Sequence, residues 1–583
     1  MLHTLSRSLR ENKGPALVTV LLSALEVVFE IVIPLFMSNL IDFGIEGGSM
    51  AAVWKFGAFL LLLAAFQLST GVLAARIAAR ASVGFAANLR EDMFDNVQTF
   101  AFSNIDKFST ASIVTRLTTD TTNVQNAFQM LMRMAIRAPV MLIFSMIVSF
   151  RISHDISMTF LIILPILALA LFFIIRSVFP VFTRVFRTYD ELNNVVQENV
   201  RGIRVVKSFN QERHEIGKFG AISERIYKDF SKGERLITLN APLMQFCIYT
   251  CMIVISWLGA KAIIASGNDP ALGLTTGNLT ALITYTMQIL SSLMMLSMVF
   301  AMLTISLSSA RRIAEVLEER SDIPQPEQPV MTVRDGAVDF DHVSFVYASK
   351  ADKKVLDDID LHIRSGETIG IIGGTGASKS SLVQLIPRLY DVTGGKLTLG
   401  GVDVRDYDLD TLRGAVAMVL QKNELFSGTI AENLRWGNEN ATDEQLRHAC
   451  KLACADGFIS AMPDGYDTHI EQGGTNVSGG QKQRLCIARA LLKKPKVLIL
   501  DDSTSAVDTR TDAQIQQALS TYIPDTTKII IAQRISSVQN ADRIVVLDDG
   551  HIDAVGCHDE LLRTCEIYRE VYESQQKGGE DDA

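Results

Sequence analysis

Residues 366–390 read GETIGIIGGTGASKSSLVQLIPRLY, and this stretch decides the fold of the second half of the chain. Its apolar start predicts a strand over Thr368–Ile372, and a helix is predicted to begin at Lys379 after a glycine-rich turn. A strand, such a turn and a helix form a phosphate-binding loop, because backbone N–H groups and the helix N-terminus then surround phosphate oxygens. The residues predicted to form the loop are Gly373, Gly374, Thr375, Gly376, Ala377, Ser378, Lys379, Ser380 and Ser381.

Two side chains of this loop carry specific expectations. Lys379 is expected to neutralise phosphate charge, and Ser380 is expected to bind Mg²⁺. The pattern G-x-x-x-x-G-K-S/T is matched at Gly373, Lys379 and Ser380, whereas Ser378 replaces the glycine before the lysine. A side chain at that position stands where the backbone should approach phosphate. A glycine-rich turn unrelated to nucleotides is the alternative at this point.

A second stretch, KVLILDD at residues 496–502, predicts another buried strand of the same site. Asp501 at its end is placed to hold Mg²⁺ through water. Asp502 follows, where a general base could polarise an attacking water. A polar turn containing Ser505 and Asp508 is predicted next.

Between these two stretches lies the sequence VSGGQ, followed by the helical sequence KQRLCIARALLKKP. Its residues are Val477, Ser478, Gly479, Gly480 and Gln481. Placed before a strand that ends in aspartate, this sequence resembles the signature motif of ABC transporters. The resemblance covers essentially the whole chain and implies a half-transporter of the exporter class that binds ATP and Mg²⁺. The implied fold is a polytopic α-helical membrane domain with six transmembrane helices plus a cytoplasmic α/β P-loop ATPase domain.

The resemblance also assigns roles to single residues. Tyr347 matches the aromatic residue that stacks on adenine, and a surface tyrosine without a role is the alternative. Gln421 matches the glutamine that touches Mg²⁺ together with Ser380 and Asp501, and Glu471 resembles an acidic residue that contacts the opposite subunit. The family mechanism pairs two ATPase domains head to tail, with ATP between the phosphate loop of one and the signature motif of the other. The helix after Gly480 is then expected to aim its positive end at the γ-phosphate.

Three residues depart from the pattern of fully active family members. Asp502 stands where the family has glutamate, which withdraws the carboxylate by about 1.5 Å, one C–C bond. Gln533 replaces a histidine and cannot carry its charge. With Ser378, these changes predict a degenerate site, with Asp502, Gln533 and Gln421 as its weak catalytic set. Because the signature motif is intact, the resemblance implies a heterodimer in which a non-identical half-transporter carries the strong site.

Six apolar runs fill the first half of the chain, and each is near the roughly 20 residues that a bilayer core demands. Continuous apolar runs of this length indicate helices and not strands of a barrel. The first runs from about Pro15 to Asp42, the second begins near Val53, the third and fourth centre on 138–150 and 158–175, the fifth covers 241–264, and the sixth runs from about Leu279 to Leu307.

The distribution of Arg and Lys sets the expected orientation. Segments 76–127 and 181–235 are basic, whereas the short loops 43–52 and 267–270 contain no Arg or Lys. The positive-inside rule therefore places both termini and both long connections in the cytoplasm. A multi-pass protein of the plasma membrane, in a bacterium, is predicted. The connections are expected to turn near 101–106 and 207–212 and to dock there on a cytoplasmic domain; solvated hairpins are the alternative.

The predicted domain organisation follows from these patterns. It consists of a cytoplasmic elbow (1–14), a six-helix transmembrane domain with two long cytoplasmic extensions (15–310), a Pro-rich linker (311–332), an ABC nucleotide-binding domain (333–575) and a disordered tail (576–583). The net charge of −9 argues against a partner nucleic acid, because such a binder carries a basic face. An ATP-gated channel or a regulatory half-transporter with little hydrolysis of its own is the alternative function.

Charged residues inside the predicted spans are candidates for cargo contacts. Glu26 and Glu30 lie one turn apart in the first span, and Arg133 and Arg137 lie one turn apart in the third. Such charges are costly in a membrane, so they either recognise cargo or pair with each other and fix helix packing. The sixth span carries Met287, Met294, Met295, Met298 and Met302. Methionine-rich surfaces suit varied apolar ligands, which favours small amphipathic, multidrug or lipid-like cargo, although simple packing is the commoner use of such residues.

Overall fold

The structure is a computed structural model that describes residues 1–268, 273–347, 354–374, 376–502 and 507–580. These residues divide into two units. One unit combines Met1–Gln98 with Thr110–Glu319, and the other combines Thr99–Ser109 with Arg320–Ala583. Of the short loop predicted at 267–270, residues 269 and 270 lie outside the described part of the chain.

Long helices form where the sequence stays apolar, because a helix satisfies its own backbone hydrogen bonds. The helices of the first half are α1 (Leu2–Arg7), α2 (Lys13–Asn39), α3 (Met50–Gln98), α4 (Phe102–Lys107), α5 (Thr110–Thr115), α6 (Thr121–Ile152), α7 (His154–Arg201), α8 (Ile203–Ser208), α9 (Glu212–Thr238), α10 (Asn240–Ser266) and α11 (Thr276–Glu318). Two π-helical turns, Leu40–Glu46 and Arg116–Asp120, extend α2 and precede α6. Within the described residues, six helical stretches are long and apolar enough to cross a membrane, which confirms the six predicted spans.

Helix α11 packs closely on α6 and α2, and polar contacts fix its start. The Tyr285 hydroxyl is fully buried and donates to the carbonyl of Ile31 at 2.6 Å. At the N-terminus of α11, Asp42 accepts hydrogen bonds from the backbone N–H of Gly277 at 2.8 Å and from the hydroxyl of Thr275 at 2.6 Å. A negative side chain at a helix N-terminus is stabilising, so Asp42 ties the first span to the sixth.

The second unit is built on strands, whose buried residues form two hydrophobic clusters. The strands are β1 (Val338–Phe345), β2 (Leu356–Ile363), β3 (Thr368–Gly373), β4 (Gly394–Leu399), β5 (Val402–Asp403), β6 (Val416–Val419), β7 (Gly428–Thr429), β8 (His469–Ile470), β9 (Val497–Asp501), β10 (Thr527–Ile531), β11 (Arg543–Asp548) and β12 (His551–Gly556). A six-stranded sheet has the order β12-β11-β3-β10-β9-β6, in which only β12 pairs antiparallel. An antiparallel sheet has the order β2-β1-β4-β5.

Strands β9 and β10 are buried at every residue, as expected for a parallel sheet covered on both faces. The helices of this unit are α12 (Lys379–Leu385), α13 (Leu409–Ala415), α14 (Ile430–Arg435), α15 (Asp443–Leu452), α16 (Asp456–Ser460), α17 (Gly479–Leu492), α18 (Thr509–Tyr522), α19 (His558–Thr564) and α20 (Glu566–Glu580). The polytopic membrane domain and the α/β P-loop domain predicted from the sequence are therefore both present.

Two predicted boundaries differ from the structure. Segment 99–109 falls inside the predicted membrane domain (15–310), yet it packs with the second unit, where the Asn104 amide donates to the carbonyl of Arg320 at 2.9 Å. Helix α20 (Glu566–Glu580), which is anchored by the fully buried Tyr568, includes residues 576–580 of the segment predicted as a disordered tail. Residues 581–583 lie outside the described part of the chain.

We expect Gly277→Ala to destabilise the membrane unit by about 1–3 kcal/mol. A Cβ at Gly277 would stand 2.6 Å from the Asp42 carboxylate and even closer to the carbonyl of Ser38, so the first and sixth spans would have to separate. The measurement is the thermal unfolding of the full chain in detergent.

Gly57→Ala is the matched control, since an added Cβ there meets no atom within 4 Å. It should leave stability unchanged or raise it by up to about 1 kcal/mol, the helix preference of alanine over glycine. Equal unfolding temperatures for the two variants would contradict the close approach at Gly277.

Candidate functional site

The candidate site lies at one edge of the six-stranded sheet. Strands β3, β10, β9 and β6 are parallel neighbours, so the residues that follow each strand meet at the same edge. This edge brings together the predicted loop after β3, Gln533 after β10, Asp501 and Asp502 at the end of β9, and Gln421 after β6.

The phosphate loop has the predicted form, with β3 ending at Gly373 and α12 beginning at Lys379. The Lys379 ammonium donates to the carbonyls of Gly373 at 2.7 Å and Gly374 at 2.8 Å, within its own loop. Burial lowers the pKa of Lys379, and the charges of Asp501 and Asp502 oppose this shift. A half-buried ammonium that leans on carbonyls at an uncapped helix N-terminus is suited to an incoming phosphate.

Ser378 adopts a left-handed backbone, with φ at 65° and ψ at 22°. Glycine takes this conformation freely, whereas a residue with a Cβ is strained by about 1–2 kcal/mol. The glycine of the pattern is therefore replaced at a position whose backbone favours glycine. Gly376, with φ at 89°, makes the other left-handed turn of the loop.

Two oxygen groups for a divalent cation lie side by side at the start of α12. The Ser380 hydroxyl donates to Asp501 at 3.1 Å, and Asp501 is 3% exposed. Burial raises the pKa of Asp501, and the neighbouring charge of Asp502 adds to the rise. A hydroxyl and a buried carboxylate are hard oxygen ligands, so the pair fits Mg²⁺. Gln421 is linked to this pair indirectly, by its hydrogen bond to the neighbouring Asp502.

Asp502 is held by two amides on one carboxylate oxygen. The Gln533 amide donates to its Oδ2 at 2.8 Å, and the Gln421 amide donates to the same atom at 3.3 Å. The backbone of Asp502 is left-handed, with φ at 48°, and its side chain is buried. The three predicted weak catalytic residues are therefore in direct contact, in an arrangement that the sequence alone did not predict. We call this arrangement the amide clasp.

Tyr347 lies beside the phosphate loop, as its predicted adenine contact requires. Its hydroxyl is 2.7 Å from the Ser381 hydroxyl on α12, and its side chain is 46% exposed. Two other predicted site residues, Thr375 and Ser505, lie outside the described residues. Asp508 caps α18 by accepting from the backbone N–H of Thr511 at 2.9 Å.

The signature motif forms the N-terminus of α17, which begins at Gly479, two residues earlier than predicted. The Ser478 hydroxyl accepts from the backbone N–H of Gln481, and the Gln481 side chain accepts from the backbone N–H of Ser478 at 2.9 Å. This reciprocal capping box fixes the start of the helix. Ser478 and Gly479 are exposed, while Val477, Gly480 and Gln481 are half-buried. Glu471 is also exposed and accepts from the Thr475 hydroxyl at 2.8 Å.

Comparison with known families agrees with this geometry. The model of the ABC transporter transmembrane region matches residues 16–294, and the model of the ABC transporter family matches residues 356–505. The ABC transporter ATP-binding protein YfiB of Bacillus subtilis is 35% identical over 558 residues, which cover 96% of each chain. The chain is an ABC transporter.

Further relatives support this assignment over nearly the whole length. The ABC transporter ATP-binding protein MT1311 of Mycobacterium tuberculosis is 33% identical over 99% of this chain and 98% of its own. An ATP-dependent lipid A-core flippase of Desulfotalea psychrophila is 31% identical over 88% of this chain and 89% of its own. A solved structure of a bacterial Atm1-family ABC exporter with ATP bound matches the fold with a TM-score of 0.79, at 24% identity, over 97% of this chain and 98% of that chain.

The chain is thus an ATP-hydrolysing ABC transporter with fused membrane and ATPase domains. Its transmembrane helices make it a membrane protein.

Three of the four charged residues predicted inside the spans of this ABC transporter form an ion-pair cluster. The Arg137 guanidinium donates to Glu26 at 2.9 Å and to Glu30 at 2.7 Å, which joins α6 to α2. A Cβ added at Gly71 of α3 would stand 3.3 Å from Glu26, so three helices meet there. Arg133 has no ion-pair partner among the described residues. The contacts favour the packing role over cargo recognition for Glu26, Glu30 and Arg137.

We expect Ser378→Gly to raise the free energy of unfolding of the cytoplasmic domain by about 1 kcal/mol, because glycine removes the strain of the left-handed backbone. The matched control is Gly376→Ala, which adds a Cβ at φ 89° where no neighbour lies within 4 Å and should lower stability by a similar amount. Denaturant unfolding of the full chain measures both. A loss of stability in Ser378→Gly would contradict the left-handed conformation.

We expect Arg137→Ala to destabilise the membrane unit by about 3 kcal/mol, because it leaves two neighbouring carboxylates without a counter-charge. Arg133→Ala removes the same charge one turn away, where no ion pair is lost, and should be nearly neutral. Thermal unfolding in detergent compares them. If both variants unfold at the same temperature, the ion pair does not fix the packing of α2 and α6.

Proposed function

We propose that this chain is the degenerate-site half of a heterodimeric ABC exporter. Its own phosphate loop holds Mg-ATP and hydrolyses it slowly, while its signature motif completes the strong site of a second, non-identical half-transporter. The observation that carries this proposal is the amide clasp on Asp502.

A general base must accept a proton from water that it contacts directly. In the clasp, Oδ2 of Asp502 already accepts from Gln533 and Gln421, so a water at that oxygen must compete with two amides, and the amides fix the direction in which the carboxylate points. Aspartate is also shorter than glutamate, and a misplacement of about 1 Å can cost roughly 100-fold in rate.

Gln533 adds to this deficit at the phosphate end of the site. An amide can donate a hydrogen bond to a γ-phosphate oxygen, but it carries no positive charge to offset the charge that develops there. Nucleotide binding requires neither a general base nor a positive charge at position 533. Lys379, Ser380 and Asp501 are the groups proposed to hold phosphate and Mg²⁺. The site therefore supports ATP as a bound ligand better than as a substrate.

The signature motif has the opposite character. The capping box of Ser478 and Gln481 orients the first turn of α17, and its exposed N–H groups form a positive helix end for a phosphate of the opposite subunit. One chain with a weak phosphate loop and an intact signature motif is consistent with pairing to an unlike partner. In two copies of this chain, both sites would contain the amide clasp.

We propose the orientation that the charge distribution predicts, with both termini in the cytoplasm of a bacterial cell and the spans in the plasma membrane. The relatives named above come from bacteria.

For the cargo, we propose hydrophobic or amphipathic molecules of the multidrug or lipid-like class. Met287, Met294 and Met298 expose about half of their side chains on α11, which gives an adaptable apolar face. One relative is an ATP-dependent lipid A-core flippase, and an amphipathic lipid is the same chemical class.

We expect the purified full-length chain alone to show little ATPase activity, and the complex with its partner to be active. In that complex, Lys379→Ala should keep most of the activity, because the strong site uses the partner's phosphate loop. Ser478→Ala should abolish most of it, because the strong site uses this chain's signature motif. Steady-state ATPase assays on the complex, with its two subunits weighed by intact mass spectrometry, provide the measurement.

The paired substitution Asp502→Glu with Gln533→His tests the clasp directly. It should raise turnover at this chain's own site by up to about 100-fold, measured in a complex whose strong site has been disabled. The proposal would be contradicted by fast ATP hydrolysis by the unmodified chain alone. Equal losses of ATPase activity from Lys379→Ala and Ser478→Ala would also contradict it.

A further inference from the structure

Three aromatic rings of the cytoplasmic unit form a closed set, the aromatic triad of Phe345, Tyr347 and Tyr390. The ring centroids of Phe345 and Tyr347 are 4.8 Å apart, and those of Phe345 and Tyr390 are 5.6 Å apart. Tyr347 and Tyr390 stand at 90° to each other with centroids 5.1 Å apart. Phe345 is 3% exposed and belongs to the core, so the two tyrosines pack against a buried ring.

Tyr390 connects this triad to segment 99–109, which joins α3 to α5. Its hydroxyl donates to the Asp106 carboxylate at 2.9 Å, and its ring lies 6.0 Å from that of Phe102. Burial and the Asp106 carboxylate both raise the pKa of Tyr390, so the hydroxyl keeps its proton and remains a donor. Tyr390 was not singled out in the sequence, although it ends the quoted stretch 366–390.

Segment 99–109 has other attachments within its unit, since Ala101, Asn104 and Phe108 are buried. The Asn104 side chain donates to the carbonyl of Arg320 at 2.9 Å and accepts from the backbone N–H of Asp322 at 3.4 Å. The side chains of Phe102 and Asp106 are otherwise exposed. The contact with Tyr390 adds to these anchors, because it engages the exposed side chains of Phe102 and Asp106.

Tyr347 has a second contact on its other side. Its hydroxyl bonds with Ser381, which belongs to the predicted phosphate loop, and the exposed part of its ring is the surface proposed for adenine. Tyr347 therefore lies between the nucleotide site and Tyr390, and Tyr390 lies between Tyr347 and segment 99–109.

We propose that Tyr390 is a positioning residue that transmits the stacking of a nucleotide base on Tyr347 to segment 99–109. The base, and not the phosphates alone, then sets the order of the segment that joins α3 to α5. This inference rests on the proposed function, in which Tyr347 stacks on adenine.

The physical reason is that a stacked base restricts the rotation of the half-exposed Tyr347 ring. A base stacked on Tyr347 holds its ring at one angle, and that ring presents a fixed surface to the edge of Tyr390. Tyr390 is then restricted to the orientation that keeps its hydrogen bond to Asp106. Ordering one site by ordering its neighbour couples the two without a large change of shape.

Hydrogen–deuterium exchange of the full-length chain in nanodiscs, analysed by mass spectrometry, tests this directly. The probes are Mg²⁺ with the non-hydrolysable ATP analogue AMP-PNP, and Mg²⁺ with inorganic tripolyphosphate. Peptides from 373–381 report phosphate binding, and peptides from 99–109 report the coupled segment. AMP-PNP should slow exchange in both, by roughly two- to ten-fold in 99–109, the range that one aromatic contact supports. Tripolyphosphate should slow exchange only in 373–381.

Substitutions separate the ring from the hydroxyl. Tyr390→Ala should remove the AMP-PNP response of 99–109 while the response of 373–381 persists. Tyr390→Phe keeps the ring without the bond to Asp106 and should reduce the response partly, which guards against a fold defect in the alanine variant. Tyr522→Ala, at an exposed tyrosine outside the aromatic triad, is the matched control and should respond as the unmodified chain does.

The outcomes distinguish the two proposals. Slowed exchange in 373–381 with an unchanged response of 99–109 in both Tyr390 variants would overturn the role of Tyr390 and leave the nucleotide site intact. A response of 99–109 to tripolyphosphate would overturn the role of the base. No slowing in 373–381 with either probe would overturn the nucleotide site and, with it, the role of Tyr390.

Discussion

The parallel pairing of β3, β10, β9 and β6 is the constraint on which the chemistry of the cytoplasmic unit depends. Ile531 pairs with Ile371 on one side and with Asp501 on the other, and Leu500 pairs with Val419. The pairing continues one residue further, because the backbone N–H of Asp502 donates to the carbonyl of Ile531 at 2.9 Å. This register brings Asp502 beside Gln533. A shift by one residue would turn these side chains to the opposite face of the sheet.

The same edge explains why two of the departures from the family pattern, Asp502 and Gln533, act together. Gln533 and Gln421 follow different strands, yet both reach one oxygen of Asp502 because those strands end at one level. A histidine in place of Gln533 could carry a positive charge towards phosphate, whereas the amide turns back to the carboxylate. The carboxylate of Asp502 is therefore oriented by its own neighbours.

Much of this could be predicted from the sequence, because the relevant signals are local. The start of α12 at Lys379 and the end of β9 at Asp501 follow from short stretches of glycine and apolar residues. The amide clasp could not be predicted, since it depends on the pairing of β9 with β10 and β6. The choice of packing for Glu26, Glu30 and Arg137 likewise needed the contact between α2 and α6. Tyr390 was missed because its partners, Phe102 and Asp106, are distant in sequence, although both lay in a predicted turn.

The amide clasp and the aromatic triad lie at opposite ends of the proposed nucleotide position. In the proposed site the clasp lies at the phosphate end, where it orients the carboxylate of Asp502. The triad acts on the base, where Tyr347 meets Tyr390. In the proposed heterodimer, slow hydrolysis at this site would keep the base on Tyr347 while the strong site turns over. Segment 99–109 of this chain would then remain ordered through successive cycles of hydrolysis. The two halves of the proposed exporter would therefore contribute unequally, because this half would stay ordered while the partner half changed with each cycle.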